Sequence, residues 1–526
     1  MKIHNPVLTG FHPDPSFIRV EDDYYIATST FEWMPGVAIH HSRDLVNWRL
    51  LTHALTQTTS IDLRGNGASG SIWAPALSYA DGQFYLLFTN VKSRHRVYKD
   101  LHNYIMTADS IEGPWSTPVR LNGSGFDPFL FHDDDGRKWL LNMRWDYRKQ
   151  HPSFGGIVMQ EYDATARKLI GPIHTLYQGT PVGVTEGPQL FRHNGWYYLM
   201  TAEGGTGLNH MIVLARSRQL TGPYEVDPHF PLLTSAHDPV HPLQQAGHGS
   251  LVQTQQGEWY LAHLCTRPLP GTTLLNPLGR ETAIQRCIWD EQGWLRLAHG
   301  GKIPALEVEA PSLPAQPFPQ LPIRDDFDRQ EIGLAYSSLR VPLDSSWASL
   351  KVRPGFLRLR GRESLSSAHE QSMVARPISH LHCTIETCME FHPDHFYEMA
   401  GLVCYYDDAD YYYLRASGDE IRGIVLGVVM SKAGVYDEVF SMQLSINDWE
   451  RCYLRAVING RELMFYASHD GEQWIPMCTP QDFGTLSDEY GGKLGFTGAF
   501  AGMCAQDLDQ QQKEAWFDYF EYQPHS

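Results

Sequence analysis

At 526 residues the chain has room for two or three domains with sizeable cores. Its 60 acidic residues outnumber its 42 Lys and Arg, and the resulting net charge of −18 is spread without long acidic runs. That balance argues against nucleic acid and anionic membranes as partners and suits a neutral substrate.

The start of the chain has no apolar stretch and no long apolar run follows, so the expectation is a cytoplasmic protein without a membrane span. The eight cysteines form no C-x-x-C pair and read as buried, reduced thiols. The first organised stretch is Gly10-Phe11-His12-Pro13-Asp14-Pro15-Ser16. It leads into a strand at 17–20, a turn and a second strand at 23–28, with Asp14 fixed between two prolines.

This pattern recurs. Ala74-Pro75, Asp127-Pro128, Gly187-Pro188 and Gly249-Ser250 each open a strand that turns at a Gly into an aromatic-rich strand, the signature of a β-hairpin. Counted from Asp14, the starts lie 60, 53, 60 and 62 residues apart. Five strand-only repeats predict a five-bladed β-propeller over 1–305. Outer strands are expected at 42–48, 110–115 and 217–224, and polar loops at 56–71 and 144–155 are expected to shape one face. In a propeller the repeat starts ring one end of the channel, so Asp14, Asp127, Glu186, His248 and Trp73 are predicted to converge there.

Five prolines mark 306–322 as a semi-rigid linker. Strands predicted at 411–415, 423–429, 452–457, 463–467 and 516–520 make 323–526 a β-sandwich, jelly-roll-like domain, so that the whole chain is all-β.

Two carboxyl groups facing each other across a neutral sugar can hydrolyse a glycosidic bond, one protonating the leaving oxygen and the other activating water or attacking directly. Asp14 and Glu186 are the candidate pair. Asp127 is a third carboxylate whose charge would keep a neighbouring acid protonated. No metal-ligand spacing occurs, so no cofactor is required for the chemistry; a divalent cation such as Ca²⁺ in the channel is allowed, with His248 as its candidate ligand. Gly204-Gly205-Thr206-Gly207 lacks the Lys-Ser/Thr of a phosphate loop.

Taken together, the segments 10–16, 27–33, 71–75, Phe126-Asp127-Pro128, Thr185-Glu186-Gly187-Pro188, 201–207, Leu278-Gly279-Arg280-Glu281 and Gly495-Phe496-Thr497-Gly498-Ala499-Phe500 resemble glycoside hydrolase family 43, in particular its two-domain β-xylosidases. The resemblance implies a five-bladed propeller and an inverting mechanism with Asp14 as general base, Glu186 as general acid and Asp127 tuning and orienting the acid. It further implies that Phe31 and Trp73 wall the subsite of the non-reducing sugar, that Arg280 binds sugar hydroxyls, that Thr206 and His248 lie near the pocket, and that Phe500 is inserted by the second domain to narrow it. His12 and Phe129 depart from the family pattern. The implied activity is exo release of xylose from short β-1,4-xylo-oligosaccharides with side activity on α-L-arabinofuranosides, and a homo-oligomer is compatible with it. The alternatives are a mainly arabinofuranosidase enzyme, a non-catalytic sugar-binding propeller, and a fructan or sucrose hydrolase, whose Asn-Asp-Pro-Asn-type motif is absent.

Overall fold

The computed structural model describes residues 1–57 and 60–525. Residues 58 and 59, inside the loop expected at 56–71, and residue 526, the end of the expected sandwich range, lie outside it. Five antiparallel four-strand blades follow one another, the fourth with one extra strand; their innermost strands are Ser16–Val20, Ser71–Ala80, Gly125–His132, Glu186–His193 and Gln244–Gln253. The described residues contain three single-turn 3-10 segments and no α-helix. None of their helices is long and apolar enough to cross a membrane.

The segments expected as outer strands are the turns that lead into them. At 42–48 the Asp44 carboxylate accepts hydrogen bonds from the amides of Val46 (2.9 Å) and Asn47 (2.8 Å), a local side-chain bond that competes with a sheet ladder. At 110–115 and 217–224 the amides of Gly113 and Gly222 close turns onto Ser110 and Gln219. The outer strands themselves are Arg49–Leu55, Val119–Asn122 and Glu225–Val226.

The proline-rich stretch runs along the propeller. Glu307–Glu309 pairs antiparallel with Lys2–His4, joining the two ends of the propeller chain. Val308 and Leu313 are buried, and Phe318 lies against His41 and beneath Arg49.

A seven-strand and a nine-strand sheet follow, packed face to face. In Cys452–Asn459 burial alternates, with Cys452, Leu454, Ala456 and Ile458 inside, as a one-sided strand requires. Tyr411–Asp419 is buried on both faces for a different reason. Tyr412 and Leu414 point into the sandwich core, whereas Tyr411 and Tyr413 join Phe11, Phe31 and Trp33 of the propeller in a shared apolar cluster. This contact is extended by the pairing of Ser338–Leu339 with Trp33–Met34 and by Arg340, whose amide and Nε donate to Glu32 O and Asn66 O, each at 2.7 Å. The sandwich is thereby docked on the rim where the innermost strands begin.

Candidate active site

The innermost strands of blades two to four each carry one extra residue against their neighbour, and that of blade five carries a second as well, between Gln244 and Gly247, where Gln245 also has a positive φ (53°). The register shifts between Trp73 and Ala76, Phe126 and Phe129, Glu186 and Gln189, and Gly247 and Gly249. The first blade repeats this geometry: the Ser29 amide donates to Pro13 O, and regular pairing resumes at Ser16 and Ala27. Within each irregularity one residue has a positive φ: Asp14 (53°), Ala74 (38°), Asp127 (55°), Gly187 (57°) and His248 (50°). A bulge bends its strand and re-aims a side chain, and here it does so five times around one mouth of the channel. Four of these residues are not Gly, so local strain is concentrated at the site. The fifth member is His248, one residue before the Gly249 that the repeat spacing selects.

The bulged residues open into a pocket of about 430 Å³, a size that suits a small ligand. Asp14, Phe31, Trp73, Asp127, Glu186, Thr206, His248 and Arg280 all line it. Its wall is aromatic: Trp73 meets Phe31 (6.2 Å between centroids), Phe126 (5.5 Å) and Phe496 (5.3 Å), mostly edge to face. The Trp73 indole N–H donates to Ser69 O at 3.0 Å, which fixes the ring.

Phe500 does not line the pocket. It is 1% exposed and stacks on Trp33 at 3.7 Å, with Phe11 at its edge, inside the interdomain cluster. The sandwich instead lends Leu494 and Phe496 to the pocket, the latter four positions earlier in the loop that precedes the strand Phe500–Asp507. That loop comes close because two glycines meet: a Cβ on Gly279 would lie 2.1 Å from Thr497 O, and one on Gly498 2.7 Å from Leu278 O. The motifs around Leu278-Gly279-Arg280 and Phe496-Thr497-Gly498 are thus two sides of one contact.

The three carboxyl groups are buried and differ in charge state. Burial pushes Asp14 up, but Arg280, His248 and the Ser29 hydroxyl together outweigh it and hold Asp14 below the usual carboxylate range. The contacts are Arg280 Nη1 at 3.3 Å, His248 Nδ1 at 3.7 Å and Ser29 Oγ at 2.7 Å. Glu186 is driven well above its ordinary value by burial, then by the charge of Asp127 and, less, by that of Asp14. Asp127 is pushed up to about 6, chiefly by burial, with its Oδ2 accepting the Gly187 amide at 2.9 Å. One buried carboxylate therefore stays ionised while Glu186 keeps its proton, the division that separates a general base from a general acid.

Sequence reasoning missed several residues in and behind the pocket. Ser29 bridges Asp14 and the Ala74 amide, accepting from the latter at 2.7 Å. Phe126 shares the repeat column of Trp73, a signal that was available. Arg94 and Lys99 come from a loop with no repeat relationship, and Trp145 and Phe154 from the facing ends of two strands, Lys138–Trp145 and Phe154–Asp163, inside the stretch expected as a loop at 144–155. His210, buried behind Asp14, donates from Nδ1 to Gln245 O (3.0 Å) and is pushed down to about 3 by burial. The departing residues lie off the carboxylates: His12 packs on His40 at 4.7 Å, and Phe129 stands at the channel waist. Among the described residues no group of three or more His, Cys, Asp or Glu side chains could hold a metal ion.

Fold and site together define a propeller glycosidase whose pocket is finished by a second domain. Residues 3–295 match the family described as Glycosyl hydrolases family 43, and residues 324–523 match the Beta xylosidase C-terminal Concanavalin A-like domain. The crystal structure of a xylan β-1,4-xylosidase from Bacillus halodurans C-125 is 53% identical, with a TM-score of 0.97 over 99% of this chain and 100% of that one. A xylan 1,3-β-xylosidase from a Vibrio species is 47% identical over 99% of both chains. A xylosidase/arabinosidase 43B from Humicola insolens is 45% identical over 99% of this chain and 98% of its own. The chain belongs to glycosyl hydrolases family 43 and is a glycoside hydrolase.

Proposed function

We propose that this glycoside hydrolase is an exo-acting, inverting β-xylosidase. It releases xylose from the non-reducing ends of short β-1,4-xylo-oligosaccharides, with side activity on α-L-arabinofuranosides. The reading is carried by the opposed charge states of Asp14 and Glu186 at the base of a pocket whose wall is completed by Phe496. In this scheme Glu186 gives its proton to the glycosidic oxygen as the C–O bond breaks. Asp14 takes a proton from the water that attacks the anomeric carbon from the opposite face, so the product leaves with inverted configuration. Asp127 holds Glu186 protonated, and Arg280 both keeps Asp14 ionised and offers donors to sugar hydroxyls.

The choice of β-1,4 over β-1,3 linkage rests on the more similar of the two xylosidase relatives, and the arabinofuranoside activity on the dual name of the third. The test is proton NMR of the first-formed sugar from a β-xyloside, run beside hydrolysis of β-1,4- and β-1,3-xylobiose. Initial α-xylose and preference for the 1,4-linked dimer are expected. Initial β-xylose would recast Asp14 as a nucleophile.

A further inference from the structure

We infer that the outer rim of the pocket recognises leaving groups that carry a negative charge, with uronate-bearing oligosaccharides as the matching class. The inference rests on the glycosidase reading above and adds to it the chemistry of the aglycone.

The connection between strands Gln83–Ser93 and Asp100–Ala108 reads Arg94-His95-Arg96-Val97-Tyr98-Lys99. Three permanent cations thus fall within six residues of a chain whose net charge is −18. Arg94 and Lys99 line the pocket and are half-buried. Among the described residues, neither they nor Arg96 form an ion pair, whereas Arg148 on the neighbouring loop is neutralised by Asp146 at 2.6 Å. The negative groups that act on Arg94 from beneath, Glu32 and Asp488, do so from beyond ion-pair distance, and Asp488 is itself engaged by the Tyr406 hydroxyl at 2.5 Å.

The two cations are held rather than free. Arg94 Nε donates to Ala68 O at 3.3 Å, and its guanidinium carbon lies 4.8 Å from the Phe496 ring centroid. Lys99 donates to Arg94 O and sits 4.5 Å from the Trp145 ring centroid, while the Trp145 indole N–H donates to Val97 O at 3.0 Å. Most of the Arg94 fork and two of the three Lys99 donors remain unspent. A half-buried cation without a counter-charge carries an uncompensated desolvation cost, and a ligand carboxylate would relieve it. Tyr98 and Tyr147, 5.0 Å apart and both exposed, extend the rim with rings whose faces can lie along a sugar. The closed end of the pocket, with Asp14 and Arg280, takes the non-reducing sugar; this cationic rim therefore faces the portion that leaves.

The test uses a matched pair of aryl β-xylosides whose phenol carries either a carboxylate or the corresponding carboxamide. The quantity read is the ratio of their kcat/KM values, compared between wild type and variants so that intrinsic leaving-group differences cancel. Relative to the Arg94→Gln/Lys99→Gln variant, wild type is expected to favour the carboxylate about fivefold at low salt. That preference should shrink as added salt screens the rim. Arg96→Glu, at a residue outside the pocket lining, should shift the ratio in the same direction by a smaller factor, which keeps the test valid if the double variant does not fold. A ratio that is the same in wild type and variants, or insensitive to salt, overturns the inference while leaving the xylosidase reading intact. Hydrolysis of neither compound sinks both.

Discussion

Arg280 Nη2 donates to the main-chain carbonyl of Phe496 at 2.9 Å, so a cation from the fifth blade is steadied by the sandwich domain. Its Nη1 lies 3.3 Å from Asp14. The charge that keeps Asp14 ionised therefore depends on how the second domain is docked. Arg280→Lys preserves charge but not the fork, and one ammonium cannot serve both partners in this geometry. A fall in kcat/KM on the order of 100-fold is expected, because a buried charge contact is lost. Steady-state kinetics with nitrophenyl β-xyloside checks it; a variant within threefold of wild type would contradict the assigned role.

Phe496 and Phe500 should separate cleanly on mutation. Phe496→Ala opens the pocket wall and is expected to raise KM, with kcat/KM falling roughly 10- to 100-fold. Phe500→Ala leaves the pocket lining intact and empties an interdomain site, costing about 3–5 kcal/mol of stability. Thermal melts and kinetics on both variants decide the matter, and the reverse pattern would place Phe500 in the pocket after all.

The pH profile should be bell-shaped, and the sign of each limb follows from the buried carboxyl groups. In the proposed scheme Asp14 must be ionised; it is held low, so activity should be lost as pH falls through its pKa. Glu186 must in that scheme be protonated; it is held high, so activity should be lost as pH rises through its pKa. Asp127→Asn removes the charge that raises Glu186 and should move the alkaline limb to lower pH. Stability carries the same signature. A raised carboxyl pKa in the folded state contributes stability below the unfolded value of about 4.3 that is lost as pH climbs toward the folded value. Glu186→Gln should therefore melt higher than wild type above about pH 4.3, with the gap widening as pH rises.

Ser29→Ala tests a residue that only the structure reveals. It deletes a hydrogen bond that lowers the Asp14 pKa and leaves the buried Ala74 amide unpaired, a loss of about 1–3 kcal/mol. The acid limb of kcat/KM should shift to higher pH. A destabilised variant with an unmoved limb would reduce Ser29 to a packing role.

The proposed roles of Glu186 and Asp14 predict different responses to the leaving group. Glu186→Ala should lose about 10²–10⁴-fold on xylobiose and recover much of this on an activated aryl xyloside, whose leaving group needs little protonation. Asp14→Ala should stay slow on both, because water activation is still missing. Equal rescue of both variants would undo the division of roles.

Much of this molecule was legible in the sequence because a propeller repeats: one strand-turn-strand unit, recognised five times, gives blade number, channel and the convergence of Asp14, Asp127 and Glu186. The register error at His248 arose because the fifth repeat has no proline to mark the bulge, so the eye settles on Gly249. Outer strands were misplaced since Asp, Ser, Gly and Pro in 42–48 and 217–224 encode turns, and aromatic residues beside them mimic strand composition. The exchange of Phe500 for Phe496 lay beyond reach for another reason. Both rings stand in one short motif, and only the docking of two domains decides which meets the channel. Arg94 and Lys99 likewise belong to a connection without periodic pattern, whose position comes from the strands on either side.

The antiparallel pairing of Lys2–His4 with Glu307–Glu309 sets a clock on biosynthesis. Lys2 and Glu307 are 305 positions apart, and Asp14 precedes Arg280 by 266. At ribosomal speed the strand Lys2–His4 waits roughly 15–60 s for its partner. Until then Lys2–His4 presents an unpaired edge, the feature most open to capture by another chain. The contact between Arg280 and the Phe496 carbonyl forms later still, once the sandwich has emerged. Chains that stop short of Phe496 are therefore expected to lack this support for Arg280 and to hydrolyse xylosides more slowly than the full chain.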